Sequence, residues 1–185
     1  HVVPVKGTDE KGFAVAAIAS DVVWMGYTKV MLKTDNEPAI LKLLRESLRE
    51  LRVEGLEQVM SENSPEYDPQ ANGSAEIGVQ RWKGQFKTLR SGLEEEIGYR
   101  MPARHPVMAW LAQHSADVLN WTTKGPEGKT PYHKVRGKPF TTRLMRFGET
   151  CRYKNRSHEP LSPTGDGRRF HVGTFVGIDR RTGQY

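Results

Sequence analysis

The stretch "KVMLKTDNEPAILKLL", residues 29–44, decides how the chain is read. Its opening is apolar and strand-like, and residues 28–33 are read as a strand. Thr34-Asp35-Asn36 follows, and Pro38 then opens a helical pattern. Proline is tolerated in a first helical turn because its missing N–H would have no partner there anyway. Ile40, Leu41, Leu44, Leu48 and Leu51 recur near the i, i+3/i+4 spacing of one helix face. An acid and an amide therefore stand at the mouth of a strand. Either residue suits a helix cap. Asp35 equally suits a ligand to a divalent cation, and this stretch alone does not choose.

Working outward, residues 1–5 read as a strand. Lys6 to Asp9 turns the chain, with Thr8 or Asp9 as a cap. Gly12 to Met25 is a helix with Phe13, Ala16, Ala17, Val23 and Trp24 as its apolar positions, ended by Gly26. A third strand is expected over Val53 to Ser61. Strand–helix–strand–helix–strand predicts a mixed α/β layer structure. "NSPEYDPQANGSAE" (63–76) has loop composition. Residues 74–97 form a long helix with Val79, Trp82, Phe86, Leu89 and Leu93 on one face. Glu76, Gln80, Lys83, Lys87 and Arg90 fall on another. Pro106 to Thr122 is a further helix, striped by Val107, Trp110, Leu111, His114 and Val118. "KGPEGK" (124–129) is a turn, and 130–137 is a short helix capped by Thr130. From about residue 139 short strand-like pieces take over. The expected division is a core over 1–138 and a small, partial β appendage (SH3-like) over 139–185.

Bulk properties narrow the classes. The chain has 185 residues, a formal charge of +6 and 36% apolar residues, with a pI near 9.5. That length suits one domain, or one domain with a small addition. The basic balance favours a polyanionic partner such as nucleic acid. One cysteine, Cys151, excludes an internal disulfide and a cysteine-based zinc cluster. No apolar run is long enough to span a membrane. The ends read as those of a fragment cut from a longer polyprotein.

Asp35 and Glu76 gain meaning together. A carboxylate at a strand end and another on a neighbouring helix can converge on one hard cation, which takes oxygen ligands. Two such ions activate an attacking oxygen and stabilise a leaving one at phosphorus. Lys83, Lys87 and Arg90 would hold the nucleic-acid backbone nearby. Each residue also has a plainer reading. Asp35 is a cap, Glu76 an acid favoured by the helix dipole in a first turn, and the cations a solvated helix face.

The order of the pieces resembles the catalytic core of retroelement integrases, the D,D-E enzymes. Thr34-Asp35-Asn36 matches the family's T-D-N. Pro69-Gln70-Ala71-Asn72-Gly73-Ser74-Ala75-Glu76 matches its P-Q-x-N-G-x-x-E phrase. "VLNWTTKGPEGKTPYHKVRGKPF" is similar to the downstream stretch of copia-type members. "RLMRFGETCRYK" and "FHVGTFVGIDRRTGQY" are similar to the β segment that follows. The resemblance spans nearly the whole chain. It implies an RNase H-like core that binds Mg²⁺ or Mn²⁺, trims a DNA 3′ end and joins it to target DNA. Asp35 and Glu76 would be catalytic metal ligands, and Gln70, Asn72 and Gly73 would lie beside the DNA. It further implies a homo-oligomer, other segments of the Pol polyprotein as partners, and action in the nucleus and in cytoplasmic retroelement particles.

Three features depart from the pattern. The family's first aspartate has no counterpart, since Asp9 falls in a turn and Asp21 within a helix. Its strand is expected upstream, and the fragment alone is expected to be inactive. Forty residues (36–75) separate Asp35 from Glu76, more than the family's usual interval, and the surplus is assigned to a surface excursion over 48–58. Glu37 replaces a frequent glycine. A hydrolytic nuclease of the same fold and a non-catalytic DNA-binding remnant are the alternatives.

Other candidates read as structural. The scattered His105, His114, His133, His158 and His171 fit no zinc spacing, and His114 is expected in the core. Trp82 and Trp110 have core spacing. Asp68 suits a turn, and Cys151 suits packing in the appendage. For Lys154, Arg156, Arg168, Arg169, Arg180 and Arg181, phosphate contact and ordinary solvation are equally open.

Overall fold

A computed structural model describes residues 1–3, 5–63, 73–154 and 170–180. In chain order the elements are α1 (Phe13–Met25), β1 (Lys29–Thr34), α2 (Pro38–Val53), β2 (Gln58–Asn63), α3 (Gly73–Ile97), α4 (Val107–Thr122), α5 (Pro131–Arg136), β3 (Thr150–Lys154) and β4 (Phe170–Thr174). The class is mixed α/β with two small sheets.

In the first half, β1 and β2 pair in parallel, with Val30 opposite Val59 and Leu32 opposite Ser61. Parallel neighbours need a crossover, and α2 supplies it. Side chains alternate across a strand, so Val30, Leu32 and Val59 turn inward. They meet Ala19 and Val22 of α1 and Leu44, Leu48 and Leu51 of α2. The other face shows Lys29, Met31, Lys33 and Met60 to solvent.

Glycine sets the end of α2. Gly55 has φ 86°. Its N–H bonds to the Arg52 carbonyl at 3.1 Å, and the Leu56 N–H to the Leu51 carbonyl at 3.2 Å. These are the two bonds of a Schellman motif, and Leu56 packs back on the α2 core as that motif favours. Two expectations are corrected here. Val53 ends a helix and is 75% exposed, and the strand begins at Gln58. Residues 48–53 are not a surface excursion, because Leu48 and Leu51 are buried core.

Three smaller corrections concern the first half. Residues 1–3 and 5 carry no strand. The N-cap of α1 is Gly12, yet Asp9 Oδ1 accepts the Ala14 N–H at 3.1 Å and so does the capping from a distance. That bond holds the Asp9 carboxyl below its ordinary range. The buried residues of α1 are Ala14, Val15, Ala19 and Val22, while Phe13 and Val23 are exposed. With nearly every position apolar, spacing defines no face.

In the second half, α3 packs along α4. Leu93, Met108, Leu111 and Phe147 form the buried cluster, with Phe86, Leu89 and Val176 against it. Trp82 stacks on Phe86 at 5.4 Å, and its Nε1 donates to the Ala112 carbonyl at 3.0 Å, so it is packing as expected. Trp110, expected in the core, is 58% exposed. α5 begins as expected: Thr130 Oγ1 accepts the His133 N–H at 3.1 Å, with Pro131 behind it. β3 and β4 pair antiparallel, Arg152 opposite Val172. Beyond residue 139, Phe147 and Phe175 are 2% exposed, and Phe147 packs with Leu93, Met108 and Leu111.

Gly148 shows how tightly that seam closes. It has φ 89°, and a Cβ there would lie 2.5 Å from Leu93 Cδ1. Both the left-handed backbone and the contact demand glycine. Gly148→Ala should therefore lower unfolding free energy by about 2–4 kcal/mol, measured by chemical denaturation, whereas Gly128→Ala, with open space around it, should cost only the backbone part.

Candidate metal and nucleic-acid site

Asp35 follows directly on the C-terminal end of β1 and is exposed. Asp35 and Asn36 both suited a cap of α2, but the N-cap position belongs to Glu37. The Glu37 side chain makes no cap bond and instead pairs with Lys6 at 2.6 Å. Glu76 lies in the first turn of α3 and is exposed. Gln80, Lys83 and Lys87 continue from it at i, i+3/i+4 spacing, all exposed, so one solvent-facing stripe starts at a carboxylate and continues into two cations. Gly73 is the first residue of α3. Gln70, Asn72 and Asp68 lie outside the described residues.

Arg90 departs from that stripe. It is half-buried, with Nε 2.8 Å from Glu94 Oε1 and Nη2 2.6 Å from the Met101 carbonyl. Glu94 Oε1 also accepts the Met101 N–H at 2.9 Å. The guanidinium holds the Glu94 carboxyl below its ordinary range. Arg90 therefore fastens the turn between α3 and α4.

Another carboxylate at the sheet's end was not singled out from sequence. Glu62 stands opposite Lys33 across β1 and β2, one position before the strands finish, and the two pair at 3.2 Å. The donor chemistry around Asp35 and Glu76 fits a hard cation in kind, since both offer solvent-facing carboxylate oxygens. Among the described residues no three His, Cys, Asp or Glu side chains gather as a metal-binding group. The histidines likewise form no cluster there.

A second constellation lies between α1 and α4. Arg180 Nε is 2.5 Å from Asp117 Oδ1 and Nη1 is 2.9 Å from Asp21 Oδ1. Gln113 presents its amide oxygen to Arg180 Nη2, because the reverse orientation would set donor against donor. Asp21 Oδ2 also meets His1 Nε2 at 3.0 Å. Asp117 is 3% exposed. Burial pushes its carboxyl up, and the Arg180 charge draws it partly back. The equal choice left open for Arg180 is thus resolved toward neither side: it is an internal ion-pair residue.

His114 is in the core as expected, 3% exposed, among Phe147 at 5.4 Å, Phe175 at 5.5 Å and Trp121 at 6.2 Å. Its Nδ1 has no hydrogen-bond partner. Burial holds the imidazole below its ordinary pKa, and so neutral.

No helix among the described residues is long and apolar enough to cross a membrane. The chain matches no family model and no curated protein.

Asp117 and Arg180 should behave as one unit. Removing one partner of a buried pair strands the other charge, so Arg180→Ala should cost about 3–5 kcal/mol of unfolding free energy. Asp117→Asn/Arg180→Ala should cost clearly less than the sum of its two single changes, read from a double-mutant cycle in urea.

Proposed function

We propose that this chain carries most of the catalytic core of a metal-dependent polynucleotidyl transferase, of RNase H-like type and resembling copia-type integrases, which joins DNA ends to target DNA. The observation that carries the reading is the placement of two acids and a basic stripe. Asp35 stands just past a parallel strand, and Glu76 heads an exposed row of Gln80, Lys83 and Lys87.

Strand ends in parallel α/β sheets are where ligands bind, and an acid there sits beside the sheet rather than within it. Asp35 and Glu76 would hold Mg²⁺ or Mn²⁺. The bound metal would activate an attacking hydroxyl and offset charge at the phosphate. Lys83 and Lys87 would fix the DNA backbone by charge, which positions without reading sequence. Gln80 would add a neutral hydrogen bond to the same backbone. Arg90, tied to Glu94 and Met101, supports the helix that presents the stripe. The reading assigns its third carboxylate to a strand upstream of residue 1. Nuclear action, retroelement particles and association with other polyprotein segments belong to the same proposal.

The test uses the chain extended by its natural upstream sequence, with Mn²⁺ and a pre-trimmed DNA end. Joined products are expected, and Asp35→Asn or Glu76→Gln should abolish them while leaving the fold intact by circular dichroism. Cut strands without joining would point to a hydrolytic nuclease. Activity that survives Asp35→Asn would remove Asp35 as a ligand.

DNA binding offers an independent measurement. Each duplex phosphate contact contributes roughly 0.9 to the slope of log K against log salt. Lys83→Ala/Lys87→Ala should therefore lower that slope by about 1.8. Arg90→Ala should reduce stability more than it changes the slope.

A further inference from the structure

His114 is 3% exposed and ringed by Phe147, Phe175 and Trp121. Its Nδ1 has no hydrogen-bond partner among the described residues. A neutral imidazole tolerates this, because one ring nitrogen then carries a lone pair and no proton. An imidazolium does not. Both of its nitrogens are donors, and a buried charge needs a partner.

The charged groups around the ring are already engaged. On α4 itself, Asp117 is held by Arg180. From α1, Asp21 is held by Arg180 and His1. The segment after β4 brings Asp179, which has an interaction of its own, and Arg180, whose charge would repel a second cation. Beside Phe147, the Glu149 carboxylate accepts the Arg146 N–H and the Arg146 guanidinium pairs with Glu96. A protonated His114 therefore has to find water.

Residues 177–180 stand between its Nδ1 and water. A Cβ at Gly177 would lie 3.7 Å from that nitrogen, so the backbone closes over the ring. The root of the segment is fixed by backbone bonds. The Phe175 N–H meets the Glu149 carbonyl at 2.9 Å, and the Phe175 carbonyl accepts the Gly148 N–H at 2.8 Å. The tip is held by the two ion pairs of Arg180 and by its carbonyl, which accepts the Trp24 Nε1 proton at 3.2 Å. Between root and tip Gly177 takes φ 140°, a conformation that L side chains rarely adopt. A hinge needs only a few such residues to absorb the change in backbone angles. Alongside runs the cleft between α1 and α4, about 800 Å³, lined from His114 out to Trp110. Trp110 is 58% exposed, so lifting the tip admits water to the ring.

We propose that His114 makes residues 177–180 an acid-released latch, closed over the neutral ring and lifted about Gly177 when the ring takes a proton. Proton binding sets the direction. Burial holds the imidazole of the closed form below its ordinary pKa, whereas lifting returns it to the ordinary value, about 6.5. The lifted form thus binds more protons, and its share grows as pH falls through that value. From about pH 7.5 to about 5.5, one such proton shifts the opening equilibrium about tenfold. Asp117 works the other way. Burial raises its carboxyl, so the closed form holds that proton more tightly and the fall in pH cannot open the latch through Asp117.

The indole N–H of Trp24 reports the latch, because its acceptor is the Arg180 carbonyl. Its hydrogen-exchange protection in the whole chain is read by NMR and corrected for the intrinsic rate at each pH. It should fall about tenfold between about pH 7.5 and about 5.5, while the Phe175 amide, on the fixed side of the hinge, keeps its protection. His114→Leu removes the titrating ring and should abolish the fall. If that variant does not fold by circular dichroism, His114→Gln replaces it. Wild-type Trp24 protection that stays constant over this range overturns the proposal, as does a fall that the folded His114 variant shares. Equal loss at Trp24 and Phe175 overturns it too, since the body rather than the latch would then be opening.

Discussion

The buried carboxylate of Asp117 is the constraint on which the second half of the structure turns. A charge at that depth is tolerated only against an opposite charge. The helix that carries it offers none, for the cation comes from Arg180, 63 residues further on. To deliver it, the chain must return from β4 across the end of α4. That return lays Phe175 and Gly177 over His114 and brings the same guanidinium to Asp21 of α1. Two ion pairs on one guanidinium therefore join α1, α4 and the segment that follows β4. Burial penalises each charge separately, and their mutual attraction offsets the penalty only when all three elements are in place. The interaction thus favours one arrangement over others more than it adds stability.

Local features were the legible ones. The helices and the sites of Pro38, Thr130 and Gly26 follow from spacing and from residues with narrow backbone preferences. The end of α2 was misplaced, although Gly55 marks it. Val53 continues the helical period but also reads as β-branched strand, and only the Gly55 and Leu56 hydrogen bonds decide. The face of α1 was illegible because alanine and valine fill nearly every position. Trp110 has core spacing, and Asp117 seven residues on along the same face is buried, yet Trp110 lies outward at the wall of the open cleft between α1 and α4.

The candidate site divides along the same line. The positions of Asp35 and Glu76, just past β1 and in the first turn of α3, were legible because the sequence marks those element boundaries. The pairing of Arg90 was not read from sequence although a cue was present: Glu94 stands at i+4, the spacing at which opposite charges pair on a helix. Arg180 offered no cue. Its partners lie 63 and 159 residues away, and a cation in a polar, glycine-rich tail has the composition of a solvated segment. Such pairings depend on where folded elements meet.

Opposite electrostatic characters occupy separate parts of this molecule, and the period of α3 explains how one helix serves both packing and charge. Trp82, Phe86, Leu89 and Leu93 turn toward α4. Glu76, Gln80, Lys83 and Lys87 fall on another arc and stay in water. Arg90 sits where the arcs meet, and its guanidinium reaches the Met101 backbone carbonyl of the next connection. Moving the basic row back by one residue would carry lysine to the Phe86 position against the Leu93 cluster, so its direction is bounded on that side by the apolar face. The acidic cleft is lined by residues of α1 and α4, Asp21 and Asp117 among them.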